Sequence, residues 1–347
     1  MANKTTLLQN VSADDYKAFP HSFWQQTHDY GAIQERSGRK VVRRVIKESD
    51  TVLGYFTLVI YPFFGSYSFG YMPYGPIMLE TLSPDQINQY EKELRDLAHE
   101  HRLVFVRHDT DCRSDSTNIS LGTPVPPFLQ HSSFHQPRGE GILNIAPELD
   151  QIKANFSKST KRNVNRSLKQ DLKIEFHYGS DMYSSKDSFI ALNEANIRSH
   201  GTTTHSDSYF RSLFEVLAKS ENNFVANVYH DDILVASHII CTWFDGSIKL
   251  AYCPFGASSD TGKDVYAYYF LKYKTIEHLQ SFGVAQWNWG GISISDTDSH
   301  LKGVDQFKRG FGIRAHEHSL LRDSVYKKLL YKIYVLKKTI RDRVWTN

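Results

Sequence analysis

The 347-residue chain lacks most features that commit a protein to secretion, to a membrane span or to a familiar catalytic signature. Cysteine is scarce: Cys112, Cys241 and Cys253 are odd in number and lack metal-site or redox spacing. They read as reduced thiols and exclude a disulfide-built scaffold. Residues 1–20 hold no apolar core followed by a small-residue cleavage pattern, so no secretory leader is expected. No window approaches the roughly 18 apolar residues of a membrane-spanning helix. The expectation is a cytoplasmic protein, with peripheral contact at the inner face of a membrane left open. A strong charge imbalance is also missing. The net charge of +3 does not argue for nucleic acid, so a basic site must be local, and no DNA partner is expected. No P-loop, GxGxxG fingerprint or GxSxG elbow occurs. His131 with His135, and His316 with His318, have ligand-like spacing but no convergent acids or thiols, so neither metal nor cofactor is expected.

What is abundant is aromatic: 20 tyrosines and 21 phenylalanines in a chain that is 40% hydrophobic and 23% charged. That composition is globular, and rings of this number read first as core material. The length suits two domains. In the first half, helical signals at 23–38 and 83–100 alternate with strand signals at 41–46, 52–61, 66–74 and 103–107. Ser83-Pro84-Asp85-Gln86 has the residues of a capping box with proline at the first helical position. Residues 112–140 carry little periodicity and read as a long loop. In the second half, helical segments at 150–170 and 186–200 precede strands at 224–229, 233–244 and 248–252, with Asp231-Asp232 as a tight turn. The two halves share an order of helices, antiparallel strands, helix, strand. The expected class is α+β: mixed sheets flanked by helices, with the two halves dividing near residue 150.

Three stretches could carry chemistry. From 249 to 312 the chain reads as strand, small polar loop at 256–264, helix at 265–279, strand at 287–291, and a glycine-punctuated loop. The helix has apolar and aromatic residues at Val265, Tyr268, Tyr269, Tyr273 and Ile276, with Lys272 contributing its stem alone. The closing loop holds Lys308 beside glycines, where backbone can approach an anion or a developing oxyanion. Second, Lys158, Arg162, Arg166 and Lys169 fall on one helical face; an anionic partner would offset their mutual repulsion, and a solvated surface is the alternative. Third, 324–344 reads as a basic amphipathic helix. Leu329, Ile333, Leu336 and Ile340 line one face among Lys327, Lys328, Lys332, Lys337, Lys338, Arg341 and Arg343. The expectation is a docked terminal helix with a solvated basic face, membrane or RNA contact being the alternative. Gln280-Ser281-Phe282-Gly283-Val284-Ala285 matches the pyrophosphate loop of acetyl-CoA-dependent acetyltransferases. That loop must open a helix, and here it closes one, so the match is rejected.

Taken in order, several motifs resemble the FemABX peptidyltransferases, the aminoacyl-tRNA-dependent enzymes that build peptidoglycan cross-bridges. They are Tyr30-Gly31, Tyr74-Gly75-Pro76, the segment 158–169, Tyr252 with Phe255-Gly256-Ala257-Ser258-Ser259, Trp289-Gly290-Gly291-Ile292, and the run 303–312. The resemblance implies two acetyltransferase-like (GNAT-like) domains, with the C-terminal helix returning to the first, so that the domains are 1–150 plus 319–347 and 151–318. It implies an aminoacyltransferase with an aminoacyl-tRNA donor and, as acceptor, an amine on a UDP- or lipid-linked peptidoglycan precursor. By resemblance Lys308 is catalytic and Tyr252 contacts substrate, with Tyr209 and Arg198 as further substrate contacts. Asp109 falls where the family has an acidic residue, expected to orient or deprotonate the amine. Lys158, Arg162, Arg166 and Lys169 would meet tRNA or phosphate. Two departures stand out. Gln34 occupies a position where the family often has a lysine for the precursor diphosphate, and the coiled-coil arm of some members is missing. Two other readings stay open: an acyltransferase acting on another amine or hydroxyl, such as an exopolysaccharide or natural-product intermediate, and an inactive protein that binds tRNA or precursor.

Overall fold

A computed structural model of the chain describes residues 6–109, 123–125, 136–200, 205–294, 302–318 and 321–345. Its first elements are β1 (Leu8–Asn10), α1 (Ala13–Lys17), α2 (His28–Arg36), β2 (Lys40–Glu48), β3 (Thr51–Phe64), β4 (Tyr67–Met72), β5 (Ile77–Met78), α3 (Pro84–Glu100), β6 (Leu103–His108) and β7 (Thr123–Pro124). There follow β8 (Gly139–Asn144), α4 (Leu149–Ala154), α5 (Lys158–Ser167), β9 (Lys173–Tyr178), α6 (Gly179–Ser184), α7 (Lys186–His200), α8 (Asp207–Leu217), β10 (Phe224–His230), β11 (Ile233–Asp245) and β12 (Ile248–Tyr252). The chain continues with β13 (Gly256–Ser258), α9 (Asp260–Asp264), α10 (Ala267–Ser281), β14 (Val284–Gly291), α11 (Lys302–Gly310), β15 (Arg314–Glu317), β16 (Arg322–Val325) and α12 (Lys328–Trp345).

These elements form two units, residues 1–138 with 317–347 and residues 139–316. Each holds one eight-stranded mixed sheet flanked by helices. In unit 1 the strand order is β1-β2-β3-β4-β6-β16-β7, with β5 pairing back onto β3. In unit 2 it is β15-β8-β14-β12-β11-β10-β9, with β13 pairing back onto β11. The devices correspond. Antiparallel strands β2-β3-β4 match β10-β11-β12. A short strand then pairs backwards, a helix crosses over, and the next strand lies parallel to the last of the three: β6 beside β4, and β14 beside β12. In both parallel pairs the register slips, which loosens the ladder at a crossover connection.

Local sequence explains the elements. The β3 run from Leu53 to Ile60 is apolar but for Thr57 and wholly buried, as a central strand requires. The Ser83 hydroxyl accepts from Gln86 N while the Gln86 side chain accepts from Ser83 N, completing the capping box. Asp231 and Asp232 both take left-handed conformations, φ 50° and 59°, the turn that matches the twist of a β-hairpin. Phe56, Leu58, Leu94 and Val106 anchor the core of unit 1. Trp287, Ile240, Leu271, Ile276 and Phe311 anchor that of unit 2.

Several sequence expectations are corrected. The unit boundary falls at 138/139 rather than 150/151, because β8 pairs antiparallel with β14 and belongs to the second sheet. The expected long loop at 112–140 therefore ends in a strand, while 110–122 and 126–135, with Cys112, His131 and His135, lie outside the described residues. The helix expected at 150–170 is broken at Asn155–Phe156 into α4 and α5. The polar loop at 256–264 is a strand and a short helix. The glycine-punctuated end is the helix α11. The terminal helix begins at Lys328, since 322–325 form β16 against β6. Its orientation is the reverse of the expectation: Leu329, Ile333 and Leu336 are exposed, and Leu330, Tyr331, Tyr334 and Val335 pack inward on Phe105 and its neighbours. Ile340 belongs to the same predicted face, but its side chain is outside the described set.

Candidate functional site

The site of unit 2 is built where β12 and β14 run parallel. β12 ends on Tyr252 and β14 ends on Gly290–Gly291. Gly290 has φ +74°, a left-handed conformation that strains any L side chain, and a Cβ there would lie 3.8 Å from the Tyr252 ring edge and hydroxyl. The tyrosine is therefore laid directly alongside the glycine turn.

Lys308 reaches the same turn from α11. Phe307 and Phe311 fix that helix, their ring centroids lying 5.0 Å from Tyr269 and 5.1 Å from Trp289 respectively. Asp305 Oδ2 accepts from Ser293 N at 3.1 Å, and Arg309 Nη2 donates to the Ser293 carbonyl at 2.7 Å. Held this way, the Lys308 ammonium donates to the Gly291 carbonyl. Burial, then the charge of Lys272, pushes the Lys308 pKa down to about 8, against the pull of Cys253, Asp305 and Glu140. Neither lysine makes an ion pair among the described residues. Two polar atoms beside them, Trp289 Nε1 and Ser293 Oγ, are buried without a hydrogen-bond partner among the described residues.

Lys272 and Glu140 escaped sequence reasoning. Lys272 is buried to its ammonium, not by its stem alone. Its Nζ lies 3.3 Å from His238 Nδ1 and 3.6 Å from Cys253 Sγ, and 4.3 and 4.6 Å from the ring centroids of Trp289 and Trp287. Burial and then Lys272 hold the His238 pKa well below the ordinary range, so the ring is neutral and can accept from the lysine. The available signal was position: Lys272 stands on the apolar face of α10, where a stem that cannot reach water buries its charge as well. Glu140 is fully buried on β8, opposite Gly291 in the ladder. Burial first, and then the Glu140 carboxylate, holds the Tyr252 pKa well above its ordinary value, so the phenol stays protonated. A glutamate in a segment read as loop gave no warning of this.

Solved structures share this architecture. The crystal structure of FemX superposes with a TM-score of 0.79 over 94% of this chain and 99% of its own, at 16% identity. The fold is that of FemX. A conserved protein of unknown function from Bacteroides thetaiotaomicron VPI-5482 follows with a TM-score of 0.60 at 11% identity, covering 93% of this chain and 100% of its own. The C-terminal DUF2156 domain of a lysylphosphatidylglycerol synthetase candidate from Agrobacterium fabrum gives a TM-score of 0.50 at 14% identity, over 86% and 87%. No family model matches the chain, and no curated protein matches it by sequence.

On this FemX fold the remaining expected residues separate. Tyr209, on α8, is buried, stacks on His205 at 4.0 Å, and adds a small electrostatic influence on Tyr252. Tyr209, Tyr252 and Lys308 thus belong to unit 2 with Glu140 and Lys272. Arg198 stands on α7 with its side chain 72% exposed, 3.7 Å from Glu194 one turn away, and does not turn inward. On α5, Lys158, Arg162 and Arg166 are exposed, and Arg166 donates to the Tyr266 hydroxyl at 3.0 Å. Lys169 is corrected: the helix is capped at Leu168, so it lies in the following turn. The α5 N-terminus is tied to the Lys308 helix, since Ser157 N donates to the Gly310 carbonyl at 2.8 Å. Gly310 is required there, because a Cβ would come within 2.4 Å of Thr160 Oγ1.

Two expected residues lie in unit 1. Asp109 is buried, and its carboxylate accepts from the Tyr71 hydroxyl and from Tyr74 N, at a turn where Tyr74 has φ 54°. Both oxygens accept a hydrogen bond, so Asp109 holds the turn. Gln34 is buried on α2, and its amide oxygen accepts from the Arg39 guanidinium. A groove of about 840 Å³ also lies in unit 1 along β1 and α3, where Asp85, Glu93, Asp96 and Glu100 line it with Arg44 and Lys92; among the described residues no group there could hold a metal. No described helix is long and apolar enough to cross a membrane. The 280–285 segment closes α10 and leads into β14.

Proposed function

We propose that the chain is an aminoacyltransferase that moves an amino acid from aminoacyl-tRNA to an amine of a peptidoglycan-precursor stem peptide. The observation that carries this reading is the Lys308 ammonium, half-buried beside the Gly290–Gly291 turn and Tyr252 with no ion pair among the described residues, on a FemX fold. In the reaction the acceptor nitrogen attacks the ester carbonyl. A C–N bond forms, the carbonyl oxygen becomes an oxyanion, and the C–O bond to the tRNA ribose breaks as the nitrogen gives up a proton and the ribose oxygen takes one up. An ammonium has three donors, and one of those on Lys308 goes to Gly291, leaving two for the oxyanion. The protonated Tyr252 supplies a further donor. Glu140, whose field reaches both Tyr252 and Lys308, takes the place of Asp109 as the carboxylate that holds the acceptor amine. Lys158, Arg162, Arg166 and Lys169 supply phosphate contact for the tRNA, on an element bonded to the Lys308 helix.

Gln34 favours a second reading, acyl transfer to another amine or to a hydroxyl. It stands where the resemblance leads one to expect a lysine for a diphosphate, and its amide oxygen is committed to Arg39. The test is a transfer assay with charged tRNA and a UDP- or lipid-linked precursor, beside mass spectrometry of stem peptides from cells with and without the protein. Lys308→Met should lower transfer by about 10²–10³-fold, as loss of an oxyanion-stabilising group does, with the circular dichroism of the folded chain unchanged. Full transfer by that variant overturns the role of Lys308. Unaltered stem peptides, with transfer to a different acceptor, support the second reading instead.

A further inference from the structure

Helix α12 presents apolar side chains on two opposite faces. The inner face, Leu330, Tyr331, Tyr334 and Val335, packs against Phe105 and Phe69 of unit 1. The outer face repeats Leu329, Ile333 and Leu336 at i, i+4 and i+7, one stripe of a helix, and these side chains are 74%, 37% and 59% exposed. A core needs only the inner face. The outer stripe is a cost in water unless something covers it. The flanks of the stripe are basic. Lys328 and Lys332 border one side and Lys337 the other, and no acidic residue occurs from 327 to 341. The patch continues off the helix, since Lys337 Nζ lies 5.3 Å from the ring centroid of Phe64, which is itself 56% exposed at the tip of the β3–β4 hairpin.

We propose that this face is an interfacial binding surface for an anionic phospholipid bilayer, with Leu329, Ile333, Leu336 and Phe64 entering the headgroup boundary and the flanking lysines meeting lipid phosphates. Charge complementarity selects the occupant. RNA would take the lysines and leave the leucines and isoleucine in water. A second copy of the face would set lysine row against lysine row. A bilayer of anionic lipid satisfies both halves of the pattern, and lysines flanking an apolar stripe can lay their stems along it while their charges stay at the phosphate level.

The test is co-sedimentation of the full chain with vesicles of phosphatidylcholine alone and of phosphatidylcholine with phosphatidylglycerol. Binding should require the anionic lipid and weaken with salt. Lys328→Gln, Lys332→Gln and Lys337→Gln should each reduce partitioning by about fivefold. The triple change Leu329→Ser, Ile333→Ser and Leu336→Ser should reduce it by at least about tenfold. The thermal melt should be unchanged in all of them, because every altered side chain is exposed. Wild-type partitioning of both variant sets overturns the proposal. So does a wild-type chain that ignores anionic vesicles, or one whose dimer in light scattering is abolished by the serine variant.

Discussion

The two units place the same topological device, a parallel strand pair with a slipped register, in opposite chemical states. In unit 1 the pair β4–β6 leads to Asp109, whose oxygens are taken by Tyr71 and Tyr74, and β6 carries Arg107, whose guanidinium meets Asp323 at 2.9 Å through both Nε and Nη2. Each of these charges is answered by partners within the unit. In unit 2 the pair β12–β14 is surrounded by two cations, Lys272 buried and Lys308 half-buried, which have neutral hydrogen-bond partners and no ion pair among the described residues. Duplicated topology supplies two comparable places, and the balance of buried charge separates the frame from the site.

The largest test strikes the satisfied side. Asp323→Ala leaves the Arg107 guanidinium buried without its carboxylate, in a pair where both side chains have 0% exposure. The expected cost is about 3–5 kcal/mol in urea unfolding. A cost under about 1 kcal/mol would mean that the C-terminal strand β16 is not anchored by charge. Next, Asp109→Asn turns one acceptor into a donor facing donors, and should cost about 1–3 kcal/mol of stability with transfer per folded molecule within a factor of about three. A hundredfold fall in kcat at unchanged stability would return Asp109 to the chemistry and break the comparison.

A smaller effect sharpens the unsatisfied side. If the Lys308 ammonium stabilises the oxyanion, transfer should fall as pH rises through about 8, the value to which burial and Lys272 push it. Lys272→Met removes the repulsion and should move that limb to higher pH, whereas a purely structural Lys272 would change amplitude and leave the limb in place. Stability should move the other way. The folded pKa lies below the unfolded value of about 10.4, so between the two the unfolded chain holds a proton that the folded chain lacks. Stability therefore rises with pH across that window, and Lys308→Met should flatten the rise.

Much of the frame was legible because local rules and tertiary packing agree in it. The capping box at Ser83, the Asp231–Asp232 turn and the buried run of β6 each follow from residues that have few alternatives. The site was half legible. Tyr252 and Lys308 could be named through a resemblance, but Lys308 was expected in a loop because three glycines surround it, whereas packing of Phe307 and Phe311 makes 302–310 a helix. Lys272 and Glu140 were missed for one reason: a charged residue on an apolar face reads as snorkelling or surface until the tertiary structure closes over it. The outer face of α12 failed differently. Its hydrophobic period was correct, but two apolar faces fit the same sequence, and the larger rings Tyr331 and Tyr334 won the core.

The smallest effect concerns the basic helix, and it asks which unit meets nucleic acid. Lys158, Arg162 and Arg166 stand exposed on α5, with no acidic residue in the first turn, and Ser157 bonds that helix to the Lys308 helix. Each cation that touches a phosphate releases counterions, so the slope of log affinity against log salt for tRNA should shrink by somewhat under one for each change to glutamine. Lys169, beyond the cap, should contribute less, since the turn no longer holds it in line with the row. The control lies in unit 1. Lys328→Gln, Lys332→Gln and Lys337→Gln should leave the tRNA slope unchanged while they weaken vesicle binding. If instead the C-terminal lysines carried the tRNA slope and the α5 cations did not, unit 1 would be the nucleic-acid face. The buried charges of unit 2 would then need a smaller anionic ligand to explain them.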